Sequence, residues 1–241
     1  MLLNGPVGGM QTPLRIEITD PDGNAFQQSS FDKADTLGSI LGEMALDAVE
    51  SAQPVDSPDL SFRAQTFTLP IENTGFQAMF LLGVLDREVT NYDEDAPIDE
   101  DNTPEVYTEV DVIELGDLSM LTIPGELLPE LAIGGYDGSH VNSPGYPLVQ
   151  PDNPNPPDLA AAPQGPFLEE VLGAPHSWVI ALANDEVGYI IPEYNFKVDP
   201  DTPYIIEAEG DHYEETNSLG PRTAGLVLEQ AERLIRWEPE Q

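Results

Sequence analysis

The side chains that most often carry catalysis or bind metals are scarce in this sequence. Among 241 residues there are three histidines and no cysteine, which excludes disulfides, thiolate nucleophiles and Cys-ligated zinc. His140, His176 and His212 lie too far apart in sequence for a His-x3-His zinc motif. There is also no Gly-x-Ser-x-Gly nucleophile elbow and no phosphate-binding glycine loop followed by lysine. Motif spacing by itself therefore assigns no chemistry.

Acidic residues dominate the charge of the chain. Asp and Glu number 45 against eight Lys and Arg, which gives a formal net charge of −37. The basic residues are scattered and form no patch that could release counterions from a nucleic acid, so we expect no nucleic-acid partner. An anionic membrane surface would repel the chain. Because salt or divalent cations would screen the self-repulsion, the composition favours a salt-adapted protein over an ordinary acidic extracellular one.

Signals for export or membrane insertion are missing from the sequence. The first ten residues, MLLNGPVGGM, lack a basic n-region and an apolar h-region, so no signal peptide is predicted. No apolar run reaches the ~18 residues of a spanning helix, so no transmembrane segment is predicted. With 40% hydrophobic residues, the chain has the side chains for a core, and a wholly disordered acidic chain is excluded.

Hydrophobic periodicity predicts two long helices. From about Asp32 to Ala52 the apolar residues recur at helical spacing, with Asp32 or Asp35 available as the N-cap. Pro221 suits the first turn of a last, amphipathic helix. A short helical stretch is expected over Leu127–Leu131.

Strand-like runs alternate with these helices. Continuous apolar runs over Ala78–Leu85 and Trp178–Ala183 are typical of buried strands. The other runs that predict strands are Leu14–Ile18, Thr66–Ile71, Val110–Leu115, Ser119–Ile123 and Tyr204–Ala208. This alternation predicts an α/β fold with a mixed sheet flanked by helices.

Two segments predict long loops. Residues 91–109 are rich in carboxylates, and residues 137–168 contain eight prolines. No internal repeat and no break in composition divides the chain, so a single domain over residues 1–241 is predicted.

Three segments in the second half of the chain carry patterns that go beyond composition. They are Thr122–Glu126 (TIPGE), Ala181–Ile190 (ALANDEVGYI) and His212–Thr223 (HYEETNSLGPRT). In the same order, they resemble the Pro-Gly-Glu, Gly-Leu-x-Asn-x-Tyr-x-x-Tyr and Tyr-Glu…Tyr-Gly-Pro-x-Thr segments of the neutral/alkaline, non-lysosomal ceramidase family. Leu3–Pro13 also resembles the bacterial branch of that family around its catalytic strand.

This resemblance implies a zinc amidase. Members of the family cleave the N-acyl bond of ceramide, and their zinc is held by two histidines from the first half of the catalytic domain and by a Glu and a Tyr from the second half. Carried over by position, these last two ligands are Glu126 and Tyr189. Taken alone, Glu126 also suits a helix N-terminus, where the macrodipole favours a carboxylate, and Tyr189 suits a buried tyrosine with a satisfied hydroxyl.

The chain departs from the family pattern at several places. Gly5 aligns with the serine nucleophile, so the catalytic residue is unknown, and Glu186 replaces the first Tyr of the Asn-x-Tyr segment. The resemblance covers about residues 110–236, without the family's histidine-bearing first half or its immunoglobulin-like C-terminal domain. It therefore implies an incomplete half of a larger ceramidase-like catalytic domain, with the histidine ligands supplied by another chain or an upstream segment.

Two functions follow as hypotheses. The first is the C-terminal part of a zinc-dependent, ceramidase-like hydrolase that cleaves ceramide or a related lipid amide by metal-activated water, and that is incomplete alone. The second is a non-catalytic acidic binding or assembly module that retains the fold. Family resemblance further implies an extracellular or periplasmic location.

Overall fold

The computed structural model describes residues 3–10, 13, 16–55, 58–139 and 149–237. The chain divides into two compact units, one formed by Met1–Gly9 with Asp59–Gln241 and the other by Met10–Pro58. That residues 1–241 form a single domain stays a prediction. In the described part of the chain, no helix combines the length and apolarity needed to cross a bilayer.

The smaller unit is a helix preceded by a small hairpin. Strands β1 (Ile18–Thr19) and β2 (Ala25–Phe26) pair antiparallel, and helix α1 spans Phe31–Ser51. Helix α1 confirms the predicted long helix, but the predicted caps Asp32 and Asp35 are wrong. Ser30 caps it instead, because its hydroxyl accepts the backbone N–H of Lys33 at 3.0 Å.

Lys33 is the buried anchor of this unit, with only 4% of its surface exposed. Its ammonium donates to the carbonyl oxygens of Pro13 (2.9 Å), Ile16 (2.7 Å) and Gln27 (3.1 Å). A buried ammonium is tolerated only where its donors are satisfied, and three carbonyls use all three N–H groups. The ammonium therefore fastens the segment before α1 to the first turn of that helix.

The larger unit holds the remaining strands and helices. Its strands are β3 (Leu60–Pro70), β4 (Glu105–Leu115), β5 (Leu118–Thr122), β6 (Glu126–Leu127), β7 (His176–Ile180) and β8 (Tyr189–Ile190). Its helices are α2 (Thr74–Leu81), α3 (Pro129–Ile133), α4 (Leu168–Leu172), α5 (Tyr213–Thr216) and α6 (Thr223–Ile235), with a 3-10 turn at Glu193–Asn195.

A four-stranded sheet in the order β3-β4-β5-β7 forms the centre of this unit. The first two pairings are antiparallel and the last, β5 with β7, is parallel, so the predicted α/β fold with a mixed sheet flanked by helices is confirmed. Helices α6 and α4 pack against the sheet, and the core between them is aliphatic. The fully or nearly buried members of this core include Leu69, Val106, Val110, Val112, Leu121, Val179 and Val227.

Two of the predicted strands are wrong. Ala78–Leu85 is not a strand, since Thr74–Leu81 forms helix α2, whose cap Asn73 accepts the N–H groups of Gly75 and Phe76. A continuous apolar run is compatible with either a strand or a helix, and the N-cap at Asn73 favours the helix. Tyr204–Ala208 forms a turn, in which Tyr204 adopts a positive φ of 65°.

Other predicted boundaries shift by a few residues. The acidic loop ends at Pro104, because Glu105–Glu109, predicted as loop, form the start of β4 opposite Thr66–Pro70. The last helix begins at Thr223, two residues after Pro221. The proline-rich loop extends to the start of α4 at Leu168, and its residues 140–148 lie outside the described residues, as do Leu14 and Arg15 of the first predicted strand.

Lys33→Met is expected to destabilise the smaller unit by about 2–4 kcal/mol, since three carbonyls lose a charged donor. Amide hydrogen exchange in residues 16–27 should accelerate, as measured by mass spectrometry. Lys197→Met, at the other lysine of the chain, is the matched control and should leave exchange there unchanged. Unaltered protection of residues 16–27 in Lys33→Met would contradict the anchoring role.

Candidate functional site

Glu126 and Tyr189 are register partners in a second, two-stranded sheet. Strands β6 and β8 pair in parallel, with Glu126 opposite Tyr189 and Leu127 opposite Ile190. The pairing is carried by the Glu126 N–H, which donates to the Gly188 carbonyl at 3.0 Å. Register partners on adjacent strands project from the same face of a sheet, so the two predicted ligands are neighbours despite 62 intervening residues.

Glycine makes this pairing possible. A Cβ at Gly125 would lie 2.5 Å from the Gly188 carbonyl oxygen, and a Cβ at Gly188 would lie 2.1 Å from the Asn217 carbonyl oxygen. Gly188 also has a φ of +88°, a conformation that residues with a side chain rarely adopt. Asn217 in turn accepts the backbone N–H of Tyr189 at 3.0 Å. The three segments therefore approach at backbone-contact distance.

The N-terminal segment runs along the other side of β6. Gly8 donates its N–H to the Leu127 carbonyl at 2.9 Å, and Ala181 donates to the Asn4 carbonyl at 3.2 Å. Gly5, which aligns with the family's nucleophile, is exposed and has open space around the position of a Cβ. The described residues thus offer no nucleophile at this point of the chain.

One tyrosine, Tyr213, and two glutamates, Glu186 and Glu214, lie around the Glu126–Tyr189 pair. The buried Tyr189 places its hydroxyl 3.2 Å from that of Tyr213, and the rings meet edge to face at 5.6 Å. Desolvation, and after it the charges of Glu214 and Glu126, raise the pKa of Tyr213. Partial desolvation first, and the Glu126 charge after it, also raise the pKa of Glu186. The site is therefore electronegative and built from oxygen atoms.

Glu214 is the carboxyl group with the most altered proton affinity at this site. Desolvation, followed by the charges of Glu215 and Asp211, raises its pKa to about 7. A Cβ at Gly9 would lie 3.2 Å from its Oε1 atom, so the N-terminal segment passes directly over the carboxyl group. Glu214 can therefore hold or release a proton near neutral pH.

His212 has a structural role, because both of its ring nitrogens have hydrogen-bond partners within the chain. It is 5% exposed, its Nδ1 lies 2.9 Å from Glu215 Oε1, and its Nε2 lies 2.8 Å from the Asn155 carbonyl. The same Glu215 oxygen accepts the Lys197 backbone N–H. His176 is exposed on β7, and His140 lies outside the described residues.

The two predicted ligands, Glu126 and Tyr189, would supply only two oxygen donors and so do not complete a zinc shell. Zinc in proteins takes four ligands, mainly nitrogen or sulfur donors. In the described part of the chain, no group of three or more His, Cys, Asp or Glu residues is arranged to hold a metal. The strand position of Glu126 also excludes the helix-terminus interpretation, because α3 begins only at Pro129. Any zinc bound here requires donors from beyond these residues.

A polar network that the sequence did not reveal holds the loop between β7 and β8. Arg87 binds the Asp185 carboxylate through two nitrogens, one of them 2.9 Å from Oδ1. The Asn184 amide donates to the Asp111 carboxylate and to the Thr122 hydroxyl. Asn184 sits at a positive φ of 70°, which asparagine tolerates better than most residues. The network fixes the path of the chain as it approaches Gly188. In the sequence, only the Asn-Asp pair that follows a strand indicates such a network.

Comparison with known proteins gives one structural likeness. No protein-family model and no curated protein matches the chain. Among solved structures, the chain is similar to neutral ceramidase from Pseudomonas aeruginosa, at 16% sequence identity and a TM-score of 0.43. The match covers 93% of this chain and 36% of the ceramidase, so the chain spans about a third of the length of that protein.

Gly188→Ala is expected to cost at least about 3 kcal/mol, because the new methyl group meets the Asn217 carbonyl in a left-handed conformation. Gly138→Ala is the matched control, since Gly138 has a similar φ of +82° with nothing within 4 Å of a Cβ. It should cost only about 1–2 kcal/mol. Urea unfolding measures both, and equal losses would show that the close approach at Gly188 does not matter.

Glu214 should make the folded protein less stable as the pH rises from about 4.5 to 7. The unfolded chain ionises near its ordinary pKa of 4.5, whereas the folded chain keeps the proton up to about 7. The unfolded state therefore binds fewer protons, and stability falls by roughly 1–3 kcal/mol over this window and then levels off.

Glu214→Gln should remove this part of the slope in urea unfolding followed against pH. Glu207→Gln, at an exposed position, is the control and should keep it. An identical slope in the wild type and Glu214→Gln would refute the assignment.

Proposed function

We propose that this chain is the C-terminal part of a zinc-dependent, ceramidase-like hydrolase that cleaves an N-acyl amide bond in ceramide or a related lipid amide. The observation that carries the proposal is the β6–β8 pairing. It places Glu126 and Tyr189, which come from two separate family-like segments, opposite each other. A zinc ion at such a site would activate water and polarise the amide carbonyl.

The residues of this chain have defined tasks in the proposal. Glu126 and Tyr189 supply two oxygen ligands, and the Tyr213 hydroxyl at 3.2 Å orients the Tyr189 phenol. Outer partners of this kind fix a ligand's orientation and tune its affinity for the metal. Glu214, protonated near neutral pH, is suited to exchange a proton with a bound molecule.

The proposal requires a supplier for the remaining ligands. Both nitrogens of His212 are occupied, and His176 lies on β7 in a different sheet from β6 and β8. The histidines would come from an upstream segment or a second chain, and this chain alone would be inactive.

Zinc content provides the test. The chain co-expressed with the sequence encoded upstream of it should retain one zinc per complex after dialysis, measured by mass spectrometry of the metal. Glu126→Gln and Tyr189→Phe should each weaken zinc retention at least tenfold and abolish N-acyl amide hydrolysis. Glu186→Gln, at a neighbouring carboxylate outside the proposed ligand set, should retain zinc. A complex without stoichiometric zinc would refute the proposal.

A non-catalytic binding or assembly module is the second candidate. The observation in its favour is that the described residues contain no group of three metal-ligating side chains and carry glycine at position 5. A folded, monodisperse chain that binds no metal and hydrolyses no N-acyl amide, alone or co-expressed, is the result that this candidate predicts.

A further inference from the structure

The four-stranded sheet has one covered and one open face. Helices α6 and α4 pack on the face that carries Val110, Val112 and Val179. The side chains between these positions alternate to the opposite face, where several large apolar groups are exposed. An antiparallel sheet that leaves one face to solvent ordinarily carries polar side chains on that face.

An apolar row crosses the open face from edge to edge. Phe62 pairs with Ile113, Ile113 with Met120, and Met120 with Trp178, so the row contains one large residue from each of the four strands. Its two ends are the most exposed, Phe62 at 61% and Trp178 at 48%. A contiguous apolar row of this kind marks an interaction surface.

A second row lies beside the first. Leu60, Leu115 and Leu118 are cross-strand neighbours, and His176 ends the row on β7. Leu60 is 71% exposed and Leu115 39%. Neither row contains an acidic residue, although the chain has 45 of them. In a chain this acidic, the lack of carboxylates in both rows indicates a surface that solvent does not normally reach.

We propose that this open face, defined by the two rows, binds the same face of a second copy of the chain. An isologous contact needs a self-complementary surface, and an uncharged apolar sheet face meets that requirement, since two sheets pack face to face about 10 Å apart. It is also a surface across which two chains of charge −37 can meet without opposing carboxylates. This inference does not depend on the proposed function.

The exposed area is of the right order for a dimer. Phe62, Trp178, Leu60 and Leu115 leave roughly 450 Å² open, taking about 200 Å² for a large side chain. Ile113, Leu118 and Met120 are half-buried beside them and add to the contact. A standard interface buries about 800 Å² per partner. Because the rest of the surface is strongly negative, the dimer should form only when salt screens the repulsion.

Sedimentation of the full chain from about 0.1 M to about 3 M KCl tests the proposal. We expect a monomer at low salt and a dimer at high salt, with the dimer lost in Phe62→Glu and in Trp178→Glu. Leu82→Glu is the matched control, because Leu82 is 78% exposed at the end of α2 and belongs to neither row. Leu82→Glu should dimerise like the wild type. Circular dichroism checks that each variant is folded.

Trp178 fluorescence gives a second readout. In a Trp237→Phe background Trp178 is the sole tryptophan, and its emission should shift to the blue as dimer forms. A monomer at every salt concentration would overturn the proposal, and so would a dimer that survives both Glu substitutions. A Trp178 emission already blue-shifted in the monomer would also overturn it, since the face would then be covered by something other than a second copy.

Discussion

The arrangement of the candidate site depends on one close approach of backbones, between Gly125 and Gly188. With 2.5 Å between the position of a Cβ on Gly125 and the Gly188 carbonyl, no larger residue fits without moving a strand. This approach lets β6 and β8 pair in parallel, and the pairing fixes the positions of Glu126 and Tyr189. Backbone packing thus determines the site, because the register of the two strands sets the positions of its side chains.

The surrounding structure supports this pairing from both sides. Leu127 and Ile190, the residues after the proposed ligands, are fully buried in the core beneath the main sheet. Ion pairs stabilise other parts of the larger unit, where its five described arginines each pair with a carboxylate; these pairs are Arg63–Glu114, Arg87–Asp185, Arg222–Glu72, Arg233–Glu229 and Arg236–Glu232. Most other carboxylates have no basic partner to neutralise them, so stability should depend on screening by salt.

Local patterns predicted much of the fold but little of the site. The helix over Phe31–Ser51 and the strands around Gly116 follow from periodicity, whereas Ala78–Leu85 is ambiguous because an apolar run suits a strand or a helix. Resemblance, and not spacing, selected Glu126 and Tyr189. The roles of Tyr213 and Glu214 could not be predicted, because they depend on contacts between residues far apart in sequence. Nor does any local pattern reveal that one sheet face is open.

The most direct test of the β6–β8 pairing is a through-hydrogen-bond scalar coupling between the Glu126 amide nitrogen and the Gly188 carbonyl carbon, measured by NMR on the deuterated chain. We expect a detectable coupling, because the nitrogen donates to that carbonyl at 3.0 Å. We also expect nuclear Overhauser contacts between Leu127 and Ile190. A missing coupling, together with contacts that pair Glu126 with any other strand, would show that β6 and β8 do not pair, and the two proposed ligands would then not face each other.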